Sequence, residues 1–170
     1  PNTEAAVTNS GTEQDAIFDF VIPRGQDGGA QPLELLTAYS TPPQPGTSGG
    51  ALIFDRNGTT VGSAITHAEN SADFIIQELG YYQVSFHGTI GPASGVNFPL
   101  SILINLQQQG SGVAGTDVQH TFQTSSDVSN VAFSQIIEVT SVPSTLDVVG
   151  SGGSFLYSGI SLSIYKLGNI

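Results

Sequence analysis

Strict alternation of apolar and polar residues, repeated at short intervals, confines this chain to β-structure. Tyr82, Val84, Phe86 and Gly88 alternate with Gln83, Ser85 and His87. Leu100, Ile102, Ile104 and Leu106 show the same period, as do Ile160, Leu162, Ile164 and Lys166. Successive side chains of a strand point to opposite faces, so each run describes a strand with one face turned to a core. Turn signals recur every ~8–12 residues, the spacing of a sandwich or jelly roll. No segment carries a helical period of ordinary length. The reading is an all-β jelly-roll sandwich.

The stretch Asp73–Ile90 is expected to be its centre. Phe74-Ile75-Ile76 reads as one strand, Leu79-Gly80 as a break, and the run from Tyr82 as a second strand paired beside the first. Further strands are expected at Val118–Thr124, Val131–Thr140, Thr145–Gly150 and Ile160–Leu167. Leu33–Tyr39 fits a strand or one helical turn. Ala51–Asp55 and Thr59–Gly62 flank Asn57-Gly58, the dipeptide of a type I′ hairpin turn. Residues 41–50, 91–97 and 107–117 read as surface loops.

The first residues form a separate segment. Ala5–Thr8 and Ile17–Ile22 are β-type runs around the turn residues Asn9-Ser10-Gly11. Phe18, Phe20 and Ile22 share a wholly apolar face, whereas Ile17 and Val21 share theirs with Asp19. A lone two-stranded hairpin is barely stable. This one needs a partner, either the main domain or the same segment of other subunits. Pro23–Gly29 is Gly-rich and reads as a linker. The expected division is 1–29 as a hairpin and linker and 30–170 as the jelly-roll domain. Pro1 is expected to continue a longer polypeptide.

Charge excludes whole classes of partner. The 170 residues hold three Lys and Arg against fourteen Asp and Glu, a formal net charge of −11. Nucleic-acid binding needs clustered basic residues, and Arg24, Arg56 and Lys166 are isolated. Anionic membranes would repel such a surface, and no apolar run could span a bilayer. No basic start followed by an apolar core marks a signal peptide. With no Cys, neither disulfides nor thiolate metal sites are available.

Catalytic chemistry finds no constellation. His67, His87 and His120 each lack a second ligand at the spacing of a zinc site. No Gly-x-Ser-x-Gly elbow occurs, and Gly110-Ser111-Gly112 and Gly150-Ser151-Gly152-Gly153 lack the Lys of a phosphate loop. Asn57-Gly58-Thr59 fits an N-glycosylation site as well as the turn, and the turn is preferred. A non-enzymatic protein without cofactor or metal is expected.

One motif carries a family resemblance. Phe74, five residues, Gly80-Tyr81-Tyr82 and then Phe86-His87 resemble the signature of the globular head of complement component 1 subcomponent q. Phe86 stands two residues later than that family's next aromatic. Ser154–Leu162, with its aromatics before Ser158-Gly159, is similar to the family's closing element. The family shares its jelly roll with tumour necrosis factor, and the resemblance covers residues 33–170. The lead-in, with Gly25-Gln26-Asp27-Gly28, resembles those of bacterial spore-surface collagen-like glycoproteins and of phage fibres.

The resemblance implies a homotrimer in which Phe74, Tyr82 and Phe86 serve a subunit interface or the core of one subunit. It implies a C-terminal knob on a collagen-like stalk at a bacterial or spore surface, presenting a recognition surface to a glycan or protein. The alternative is a phage fibre tip, on a virion, that recognises a host carbohydrate or protein. The animal heads' acidic calcium sites have no counterpart here in a tight acidic cluster.

Overall fold

The computed structural model describes residues 5–22 and 32–170. The chain divides into two compact units, residues 1–31 and 32–170. The Gly-rich linker reading of Pro23–Gly29 lies outside the described residues, and with it the Gly-X-Y triplet.

In the first unit, β1 (Ala6–Asn9) pairs antiparallel with β2 (Phe18–Val21), with Val7 opposite Phe20 and Thr8 opposite Asp19. Asn9 organises the loop between them. Its Oδ1 accepts hydrogen bonds from the backbone N–H of Gly11 at 2.9 Å and of Ile17 at 3.0 Å. A side chain at position 11 would run into the Asp15 carbonyl, so Gly11 permits the close turn.

The second unit follows in chain order: β3 (Leu35–Ser40), β4 (Gln44–Gly46), β5 (Gly50–Ala51), β6 (Arg56–Val61), β7 (Ile65–His67), β8 (Phe74–Ile76) and β9 (Gly80–Pro92). Then come β10 (Leu100–Gln108), β11 (Ser111–Gly112), β12 (Val118–Phe122), β13 (Ser129–Val139), β14 (Ser144–Ser151) and β15 (Phe155–Gly168). The first sheet runs β13-β9-β15-β3-β6, with β4 beside β15. The second runs β11-β10-β14-β8-β7, with β12 beside β10 and β5 beside β14. All pairings are antiparallel. Between the sheets lies one core, to which Tyr82, Val84, Phe86 and Leu162 come from one side and Phe74, Ile102, Leu106 and Leu146 from the other.

Three expectations are corrected. β8 and β9 are not partners: β8 pairs with β7 and β14, whereas β9 pairs with β13 and β15. Between Ile76 and Gly80 the chain changes sheets, so the two apolar runs face each other across the core. Asn57-Gly58 is no turn but lies inside β6, where Gly58 packs so closely on Thr37 that a Cβ would approach its Oγ1 to 2.5 Å. Glycine there serves close approach at the β3–β6 bulge rather than φ reversal. Ala51–Asp55 forms only the short β5 and an isolated bridge from Phe54 to Ser71. Leu33–Tyr39 resolves to a strand.

Glycines also set how closely the layers meet. The fully buried Phe155 ring lies where Cβ atoms at Gly46 and Gly150 would be, 2.3 Å and 2.2 Å from its Cζ. Gly46 belongs to the first sheet and Gly150 to the second, so the ring fills space that only glycine leaves. Gly150→Ala is expected to destabilise the unit by ~1–3 kcal/mol through overpacking. A chemical-denaturation midpoint equal to wild type would refute this packing argument.

Candidate assembly surface

Phe74, Tyr82 and Phe86 all point into the core of a single chain, at 0%, 0% and 2% exposure. Phe74 meets Phe54 edge-on at 5.1 Å and stacks on His67 at 4.2 Å. Tyr82 donates its hydroxyl to the Glu78 carbonyl at 2.7 Å, and burial pushes its pKa up to about 12. Phe86 stacks on Phe133 at 5.1 Å. Gly80 takes φ +149° beneath the Gly168 carbonyl, where a Cβ would come within 2.2 Å. The motif is therefore an aromatic on each sheet, joined by a crossing that needs glycine where β9 starts against the end of β15. In the single chain all three belong to the buried core.

The residues that alternate with them make a different feature. The outer face of the first sheet is set by register. Ser134 of β13 lies opposite Ser85 of β9, Ser85 opposite Ser163 of β15, and Ser163 opposite Thr37 of β3. This hydroxyl row crosses four strands. Ser85 and Ser134 are hydrogen-bonded at 2.8 Å, and Gln83 Nε2 donates to Ser134 at 2.7 Å. One row towards the β9 start stand Ile136, Gln83, Tyr165 and Leu35 in register. One row the other way stand Ala132, His87, Ser161 and Tyr39. Ile136, Tyr165 and Tyr39 are exposed at 55%, 39% and 40%.

These three rows contain no Asp, Glu, Lys or Arg between the strand edges. Glu138, bonded by the Tyr81 hydroxyl at 3.2 Å, and Arg56, opposite Tyr39, stand at the borders. Elsewhere acidic residues crowd the loops, as at Glu69, Asp73, Asp117 and Asp127. On a chain of net charge −11, an uncharged face is where a second copy can approach without like-charge repulsion. Its charge depletion and exposed Tyr39 and Tyr165 are shared with interface cores, while its central Ser row is not. The sequence signal was present in Ser, Gln and Tyr at outward strand positions where Lys and Glu are usual, but it became a surface only once register aligned the strands.

The titratable groups do other work. His67 Nδ1 lies 2.7 Å from Asn57 Oδ1, and its Nε2 lies 3.1 Å from the Ser71 carbonyl. Burial lowers its pKa, while the Ser71 contact and the charges of Glu69 and Asp73 act the other way. An open cleft of ~450 Å³ runs past it, lined also by Thr66, Asp73 and Ile75. His67 stands between Asn57 of β6 and the loop before β8, and the nitrogen that carries its proton donates to one of these two oxygens. Asn57, the residue of the sequon, is held too, its Nδ2 donating to the His67 carbonyl at 2.9 Å. His120 packs on Phe122, and His87 is exposed on the sheet face. Among the described residues no three His, Asp or Glu gather into a metal-binding group, and no helix is long and apolar enough to cross a membrane.

Asp147 on β14 is the strained carboxyl. Burial pushes its pKa up to about 6, reinforced by a hydrogen bond with Asp73 and by that residue's charge. The folded protein thus holds a proton that the unfolded chain releases near pH 4, so this pair lowers stability as pH rises from about 4 to about 6. Asp147→Asn is expected to raise stability at pH 7 by ~1 kcal/mol, after allowance for solvent screening, and to leave it unchanged near pH 4. Urea midpoints at the two pH values measure this. Equal gains at both would place the effect outside ionisation.

No family model and no curated protein sequence matches the chain. Solved structures do. The tumour necrosis factor Eiger of S. frugiperda superposes with a TM-score of 0.62 at 12% identity, covering 82% of this chain and 96% of that one. The globular domain of zebrafish complement 1qA gives 0.56 at 10% identity, over 81% and 99%. Murine APRIL gives 0.56 at 9% identity, over 79% and 99%. With antiparallel sheets, a single shared core and no helix among the described residues, the chain carries the all-β jelly-roll fold of the tumour necrosis factor and complement 1q globular domains.

Proposed function

We propose that residues 30–170 form a non-enzymatic homotrimeric knob that assembles through the outer face of the first sheet. The observation that carries this is the uncharged row Ser134-Ser85-Ser163-Thr37, bordered by Tyr165, Ile136 and Tyr39, on an otherwise acidic chain. The fold supports it, because the family that the Phe74–Phe86 motif resembles is trimeric. Three copies meeting there would cover half-exposed tyrosines and pair hydroxyls without burying a charge.

The knob would cap a collagen-like filament at a bacterial or spore surface, drive its trimerisation and present its loops to a glycan or protein. The lead-in sequence Asp19–Gly28 supports the stalk, and the absence of Cys is compatible with an exterior held together by packing and assembly. A phage fibre tip would use the same assembly with a host receptor as ligand.

Sedimentation equilibrium of the full chain at micromolar concentration is expected to give three times 17.6 kDa. The double variant Ser85→Asp/Ser163→Asp places two carboxylates per copy on the face and leaves the core untouched. It is expected to sediment as a monomer with the wild-type circular dichroism spectrum. A wild-type monomer, or a trimer that survives both carboxylates, overturns the reading.

A further inference from the structure

We propose that the cleft at the far end of β9, on the outer face of the first sheet, binds one neutral sugar ring of a glycan. The proposal rests on the reading of the unit as a recognition knob and gives that reading a site and a ligand class.

The floor of the cleft is a glycine that the fold does not need. β9 contains Gly80, Gly88 and Gly91. Gly80 admits the Gly168 carbonyl, and at Gly88 a Cβ would come within 2.6 Å of Ile160 Cγ2. Gly91 differs. Its φ is not left-handed, and a Cβ there would meet Val128 Cγ1 at 3.4 Å and the Asp127 carbonyl at 3.5 Å, which is ordinary contact. A glycine inside a strand weakens it and is characteristic of sites where a ligand comes close to the backbone. Register sets Gly91 opposite Leu156, which is 41% exposed. With Pro43 and the exposed Val128, Leu156 completes an apolar cup around the bare strand, enclosing ~240 Å³.

Size and polarity select the occupant. Sites for drug-sized molecules enclose ~300–1,000 Å³, so this cleft suits a single small ring. Ser125, Asp127 and Ser158 stand around the apolar floor. Asp127 Oδ2 accepts the Gln123 N–H at 3.2 Å, which ties the loop, and its other oxygen has no partner among the described residues. The hydroxyls of Ser125 and Ser158 have none there either. A hydrocarbon ring would desolvate these groups and leave them unpaired, which opposes binding. An anionic ligand would meet Asp127 with no Lys or Arg in the lining to offset it. A neutral pyranose turns the C–H groups of its ring face to the apolar floor. Its hydroxyls donate to the carboxylate and exchange hydrogen bonds with the two serines. The assembly rows stop at His87 and the cleft begins at Thr89, so the two uses of the sheet draw on different residues.

Saturation-transfer NMR titrations of the full chain with glucose, galactose, mannose, fucose and N-acetylglucosamine test the site. At least one of these sugars is expected to bind saturably, with a dissociation constant on the order of millimolar, the scale for one small ring. Gly91→Leu fills the cleft from a position where a Cβ meets no clash. It is expected to weaken binding of that sugar by about tenfold or more, with an unchanged circular dichroism spectrum. Asp127→Asn keeps the shape of the side chain and removes the charged acceptor, and is expected to weaken binding about fivefold. No saturable binding by the wild type, or wild-type affinity in either variant, overturns the proposal, whatever the sedimentation result. A wild-type monomer that binds a sugar and loses it in Gly91→Leu overturns the trimeric reading and supports this site.

Discussion

Burial of one face of β9 is the constraint on which the rest of the globular unit depends. That strand carries Tyr82, Val84, Phe86 and Ile90 into the core, flanked on one side by β13 and on the other by β15. Apolar area taken from water contributes ~25 cal/mol per Å², so a row of such side chains dominates the stability of the region. It also leaves no freedom of register. A slip by one residue would turn Ser85 and His87 inward and Phe86 outward. Every outward position on the first sheet therefore inherits its place from the inward ones, including the hydroxyl row that forms the candidate assembly surface.

The two faces of β9 answer different physical demands. The inner face is held by dispersion and close packing, with Phe86 on Phe133 and the Tyr82 hydroxyl satisfied by Glu78. The outer face carries short hydroxyls bonded across strands and aromatic rings at its margins. An outer sheet face that meets only water tolerates Lys and Glu freely, and this one lacks them while the loops hold acid residues. At a net charge of −11, like-charge repulsion is weakest where charge is missing.

Particular residues show how far a linear reading reaches. Alternation in Tyr82–Gly88 and Ile160–Lys166 located strands and their buried faces, because side-chain direction in a strand depends only on parity. The same stretch misled where pairing was concerned. Phe74–Ile76 and Tyr82–Ile90 read as neighbours because a glycine stood between them, yet Gly80 is needed for the approach of the Gly168 carbonyl from the far end of the unit. Asn57-Gly58 has the composition of a turn, but tertiary contact with Thr37 decides its use. Local chemistry cannot separate a glycine that reverses the chain from one that admits a neighbour.

The sequence by itself determined the all-β class, the inward sets of the strands around Tyr82, Leu100 and Ile160, and the apolar face of the hairpin. These follow from parity, composition and charge, which are properties of short segments. Tertiary structure alone decided the sheet order, the crossing between β8 and β9, the glycine-lined niche of Phe155 and the alignment of Ser134, Ser85, Ser163 and Thr37. Those four residues come from four strands spread over most of the unit, and only hydrogen-bond register between distant segments makes them one surface. The Phe74–Tyr82 motif marks the fold through its aromatics, which the core buries.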